Sequence, residues 1–125
     1  MDVYIGHNIE DGQVYSLWTR DLTMYKHHMK YLDVNDELLE LKANLFAILM
    51  VMSFDNRGET KVIHTNSVKA INCIREGSTY SDPYVFSMRS IIKALYRKNY
   101  EDKKSKLKFR FCTKEKSVVW RKIKT

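Results

Sequence analysis

The chain has 125 residues, a net charge of +7, 44% hydrophobic and 30% charged residues, enough for one domain (residues 1–125) with its own core. One proline and four glycines are too few for a disordered tail. The longest apolar run, residues 45–52, falls well short of the ~20 residues that span a bilayer, and no cleavable leader pattern opens the chain, so the expectation is a soluble, cytoplasmic protein.

Val3, Tyr4 and Ile5 are β-prone and start a first strand. Glu10-Asp11-Gly12 reads as a hairpin turn, with Gly12 supplying a positive φ. Residues 14–19 alternate as a second strand. Residues 24–32 suit a third, with Tyr25, Met29 and Tyr31 on one face and Lys26, His28 and Lys30 on the other. Asn35 then reads as an N-cap, with Asp36 and Glu37 in the first helical turn. Leu38, Leu41, Leu45, Leu49 and Met52 recur at three and four residues. Ala43, Phe46, Ile48 and Val51 make the later half apolar nearly all round, which predicts a buried central helix.

A loop is expected over residues 55–59, then a strand at Lys61-Val62-Ile63-His64 and a helix through Val68, Ile71 and Ile74 that stops near Gly77. Asp82 and Pro83 are the N-cap and first position of another helix, with a stripe of Val85, Met88, Ile91, Ile92 and Leu95. Leu107, Phe109 and Phe111 alternate with Lys108 and Arg110 as a fifth strand, and a short tail holds Val119 and Trp120. The order β-β-β-α-β-α-α-β implies an α/β fold, a mixed sheet with helices packed on it. Cys73 and Cys112 have no ligand-like spacing and are expected as buried free thiols.

Charge is unevenly spread. Residues 1–85 hold eight Lys and Arg against twelve Asp and Glu, a balance of −4, while residues 86–125 hold fourteen against three, a balance of +11. A strongly basic last third is the outline of a polyanion binder.

Four segments resemble landmarks of the RNase H family. Val3-Tyr4-Ile5-Gly6-His7-Asn8 is similar to its first strand, Val-Tyr-Thr-Asp-Gly-Ser, and Glu40-Leu41-Lys42-Ala43 with Ala47 to its central-helix pattern. Val62-Ile63-His64-Thr65-Asn66-Ser67 resembles the fourth strand and helix start, usually Thr-Asp-Ser. Residues 107–111 resemble the aromatic fifth strand. The resemblance implies a five-stranded mixed sheet, its first three strands antiparallel, flanked by helices. It leaves no room for the family's C-terminal helix, since only residues 117–125 remain.

The family cleaves with two divalent metals held by clustered acids. Carried over residue by residue, its first Asp falls on Gly6, its helix Glu on Glu40 and its second Asp on Asn66. Its loop His falls near Glu115, and its last Asp has no counterpart. One carboxylate of four remains. The resemblance therefore implies a pseudo-nuclease with no catalytic residues, metal site or cofactor, and with Gly6, Glu40 and Asn66 as vestigial positions. Asp2 lies four residues before Gly6, roughly 13 Å away at ~3.3 Å per residue. Asp11 sits in the hairpin turn and Asp82 is spent as a cap, which leaves Glu115 as the one acid placed to approach. His7 and His64 flank the site as polar fillers. His27 and His28, adjacent on a strand, point to opposite faces and do not share an ion.

The candidate nucleic-acid contacts are Arg89, Lys93, Arg97 and Lys98 on the third helix, Lys103, Lys104 and Lys106 in the link after it, and Lys108 and Arg110 on the fifth strand. Lys114, Lys116, Arg121, Lys122 and Lys124 lie beyond. In the RNase H family, basic residues around the third helix contact the backbone of a hybrid duplex. Tyr96, Tyr100 and Trp120 are interleaved, either as stacking platforms or as packed caps. The expected function is an inactive module that binds RNA or an RNA-containing duplex by shape and phosphate. Two alternatives stand beside it: a protein-interaction or inhibitor module of viral or mobile-element type, and a metal-dependent nuclease with a rearranged site.

Overall fold

Turn chemistry sets the first half of the sheet. Asp11 and Gly12 both take positive φ, 51° and 74°, the mirror-image turn that matches strand twist. They join β1 (Asp2–Glu10) to β2 (Gln13–Arg20), and a second tight turn at Asp21 leads into β3 (Thr23–His28), both pairs antiparallel. β4 (Lys61–Thr65) runs parallel to β1, and β5 (Leu107–Phe111) parallel to β4. The sheet order is β3-β2-β1-β4-β5, the five-stranded mixed sheet expected. The computed structural model describes residues 1–54, 59–78 and 80–124. The loop expected over residues 55–59 lies, but for Glu59, outside them.

Strand alternation sends Val3 and Ile5 of β1 to one face, with Trp18, Ile63 and Phe109 in register beside them. All five are buried in one core beneath α1 (Leu39–Phe54), α2 (Val68–Glu76) and α3 (Pro83–Asn99). Ten of the sixteen residues of α1 are buried, which makes it the central helix. Ser67 caps α2 by accepting from the Ala70 amide at 3.1 Å, and Gly77, at φ 84°, closes it. Asp82 caps α3, as its position before Pro83 predicts. No helix among the described residues is long and apolar enough to cross a membrane.

Several expectations are corrected. The residues after Phe111 are not all tail: α4 (Val118–Lys124) makes about two turns. The Ser117 carbonyl accepts from the Arg121 amide at 3.1 Å, and α4 packs on β1 and β2. β3 ends at His28: the Met29 amide still donates to the Val14 carbonyl at 2.9 Å, the next pair in register, and the chain then turns, with the Leu32 amide on the Met29 carbonyl at 3.1 Å and Tyr31 fully exposed. α1 starts at Leu39 because Asp36 folds into a turn, its Oδ1 accepting from the Leu38 amide at 2.8 Å. Ile91 is 47% exposed, so the buried stripe of α3 is only Val85, Met88 and Ile92. Cys73 is buried but Cys112 only half-buried.

Candidate functional site

Gly6 and Asn66, two of the three positions that the resemblance aligns with metal-binding acids, meet α4. Gly6 faces away from Ile5, toward the side of the sheet that α4 covers. A Cβ on Gly6 would lie 2.9 Å from Val119 Cγ1 and 3.0 Å from Trp120 Nε1. Trp120 Nε1 donates to Asn66 Oδ1 at 3.2 Å, so one indole touches both Gly6 and Asn66. His7 meets the same ring edge-on at 5.3 Å, and the Lys114 ammonium sits over it at 4.4 Å. Glu40 is exposed at the start of α1, near enough for its charge to act on His7.

Burial pulls the His7 pKa below its ordinary value and Lys114 adds to this, while Glu40 opposes it. His7 Nδ1 is buried with no hydrogen-bond partner among the described residues. A depressed histidine contributes stability above its unfolded pKa, and that contribution is lost as pH falls through the lower folded value. Burial lowers His27 in the same way. The protein should therefore lose stability as pH drops below about 6.5. His7→Phe should flatten that loss in denaturant melts across pH.

Two divalent cations need several carboxylate oxygens. Gly6 offers none, the Asn66 oxygen accepts from Trp120, and Lys114 adds a positive charge. Among the described residues, no three His, Cys, Asp or Glu side chains gather to share an ion. These residues do not fit a metal pair. Two of the other acids have their own partners: Asp2 Oδ1 lies 2.9 Å from His64 Nε2, and Asp82 both caps α3 and pairs with Lys42 at 3.0 Å. His27 accepts from Trp18 Nε1 at 2.9 Å, while His28 stacks on Tyr15 on the opposite face.

The basic residues divide by role. Arg89 Nε donates to the Cys73 carbonyl at 2.8 Å and its guanidinium packs against Gly77, so this residue fastens the end of α2 to α3. Lys93 is half-buried, while Arg97, Lys98, Lys103, Lys104, Lys106, Lys108 and Arg110 are exposed. Lys108 and Arg110 leave the sheet on the face opposite Phe109. A groove of about 530 Å³ runs between α2, α3 and β5, and Lys93, Lys108 and Arg110 line it together with Arg75. Arg75 is not among the candidate contacts that the sequence marks. It stands in the last turn of α2, outside the basic third that the charge count marks out. Of the interleaved aromatics, Tyr100 is buried with its hydroxyl on the Lys61 ammonium, Trp120 packs over Gly6, and Tyr96 stays 39% exposed.

No family model and no curated protein matches the chain. Solved structures do. LC11-RNase H1 in complex with an RNA/DNA hybrid aligns over 99% of both chains at 11% identity and a TM-score of 0.63. RNase H1 from the halophilic archaeon Halobacterium salinarum NRC-1 aligns over 93% of this chain and 89% of its own, at 10% identity and a TM-score of 0.61. LC11-RNase H1 isolated from compost by a metagenomic approach aligns over 92% and 85%, at 11% identity and a TM-score of 0.61. Such low identity carries the architecture alone. With three antiparallel strands, two parallel ones and this strand order, the chain has the RNase H-like fold.

Proposed function

We propose that the chain is a non-cleaving RNase H-like module that binds RNA or an RNA-containing duplex through the exposed basic side chains of α3, the link after it and β5. The observation that carries this reading is what stands at residue 6. Val119 and Trp120 fill the space where a first metal-binding side chain would begin, and Lys114 lies over Trp120. Binding is supported by the surplus of eleven positive charges after Val85 and by a structural neighbour solved with an RNA/DNA hybrid.

Each phosphate neutralised releases condensed counterion, so log K against log salt should fall with a slope of roughly −3 to −5 for four to six contacts. Arg97→Glu with Lys98→Glu should weaken binding to every sequence alike and flatten the slope by about 1–2. Fluorescence anisotropy across a salt series measures both. A protein with no affinity for RNA or hybrid at low salt contradicts the reading. In that case a second reading takes over, protein docking on the exposed apolar side chains of α3, where Phe86 is 60% and Ile91 47% exposed.

A further inference from the structure

The groove beside β5 has a composition that the phosphate-contact reading does not use. Ile74, Ile92 and Phe109 give it an apolar floor, the cations Arg75 and Lys93 stand beside it, and Lys108 and Arg110 border it from β5 with side chains directed to the other face of the sheet. Among the described residues, no acidic side chain lines it. Its volume of about 530 Å³ is that of a small-ligand site. Tyr96 stands on the rim, 39% exposed, with its ring braced by stacking on buried Tyr100 at 6.1 Å.

Two cations, Arg75 and Lys93, without a lining acid call for an anion, and an apolar floor with an aromatic rim calls for a planar apolar group joined to it. A peptide strand added to the sheet edge fits less well. Lys106 and Cys112 turn their backbone groups toward β4, so the Phe109 carbonyl faces the open edge, where Arg75 Nη2 already covers it at 2.7 Å. A blunt duplex keeps its bases stacked inside and offers only phosphate and sugar. An unpaired nucleotide offers both anion and ring.

We propose that this groove binds an unpaired nucleotide segment, with one base lying on Tyr96 and its flanking phosphates on Arg75 and Lys93. This rests on the nucleic-acid reading above and sharpens it: the protein holds single-stranded stretches or overhangs more tightly than blunt duplex. The groove lies on the side of the sheet that carries α2 and α3, away from Gly6 and α4, so it is separate from the vestigial cleft.

The test is anisotropy with a short homopolymeric single strand carrying a central 2-aminopurine, run beside a blunt RNA–DNA hybrid. Tyr96→Leu should weaken single-strand binding about tenfold, the worth of one base–aromatic stack, and leave the hybrid unchanged. Tyr96→Phe keeps the ring and should bind as the parent does. Arg75→Gln removes the charge and should also weaken the single strand selectively. Quenching of the 2-aminopurine should appear with the parent and Tyr96→Phe and vanish with Tyr96→Leu. If Tyr96→Leu weakens both ligands alike, or neither, the groove proposal is wrong while the nucleic-acid reading stands. If the parent binds neither ligand, both fall.

Discussion

Gly6→Asp is expected to lower stability by about 4 kcal/mol and to restore no cleavage. The new Cβ alone would fall inside contact distance of Val119 and Trp120. Val119 is fully buried and β-branched, so it has little rotamer freedom with which to withdraw. Overpacking of this kind costs about 1–3 kcal/mol, and a carboxylate enclosed without a partner costs about as much again. Gly6→Ala, which adds the Cβ without the charge, should lose about 2 kcal/mol. Against a native stability of roughly 5–15 kcal/mol, the difference between these variants is easy to resolve in denaturant melts. Displacement of α4 should also shift Trp120 emission to the red. A Gly6→Asp protein as stable as its parent would mean that α4 does not occupy this position.

The second large effect is expected at Lys42. Its ammonium bridges Asp36 at 2.7 Å and Asp82 at 3.0 Å, all three side chains being less than a quarter exposed. One cation thus ties α1 to the turn before it and to the cap of α3. Burial alone would lower the Lys42 pKa, but the hydrogen bonds to Asp36 and Asp82 outweigh it. The same bonds hold both carboxyls below their ordinary value.

Lys42→Met leaves two carboxylates facing each other and should cost about 3 kcal/mol at neutral pH. The sign of the pH dependence follows from the lowered carboxyl values. Their stabilising contribution is complete above an unfolded pKa of about 3.9 and is lost as pH falls through the lower folded values. In the variant the remaining repulsion is relieved by protonation. The stability gap between parent and variant should therefore close as pH drops below about 4, as denaturant melts at pH 7 and pH 3 can check. A gap that stayed constant would place the cost in side-chain packing instead.

The parts of the fold that were legible in the sequence are those that local chemistry fixes. Asp11-Gly12 allows the hairpin turn, Asp82-Pro83 starts α3 and Gly77 ends α2, each at the predicted place. α4 was not legible because about two turns carry almost no helical signal of their own. Val119 on Gly6 and Trp120 on Asn66 hold it, and both contacts reach far along the chain. Arg89 shares its helical spacing with Lys93 and Arg97. Only the neighbouring end of α2 turns it from a surface cation into a tie between helices. Lys42 reads as an ordinary helix residue until Asp82 is brought beside it. That Gly6 and Asn66 stand where the resemblance puts acids was legible; that Trp120 lies against both, with Lys114 over its ring, was not.

Binding without cleavage is the central claim, so the most direct measurement records both in one sample. The protein is incubated at low salt with an end-labelled RNA–DNA hybrid in Mg²⁺ and, separately, in Mn²⁺. Complex and strand length are then read from the same reaction. The account predicts retarded hybrid whose RNA strand stays at full length. Shortened RNA that disappears when Glu40→Gln replaces the parent would contradict it, and would make the protein a nuclease with a rearranged site.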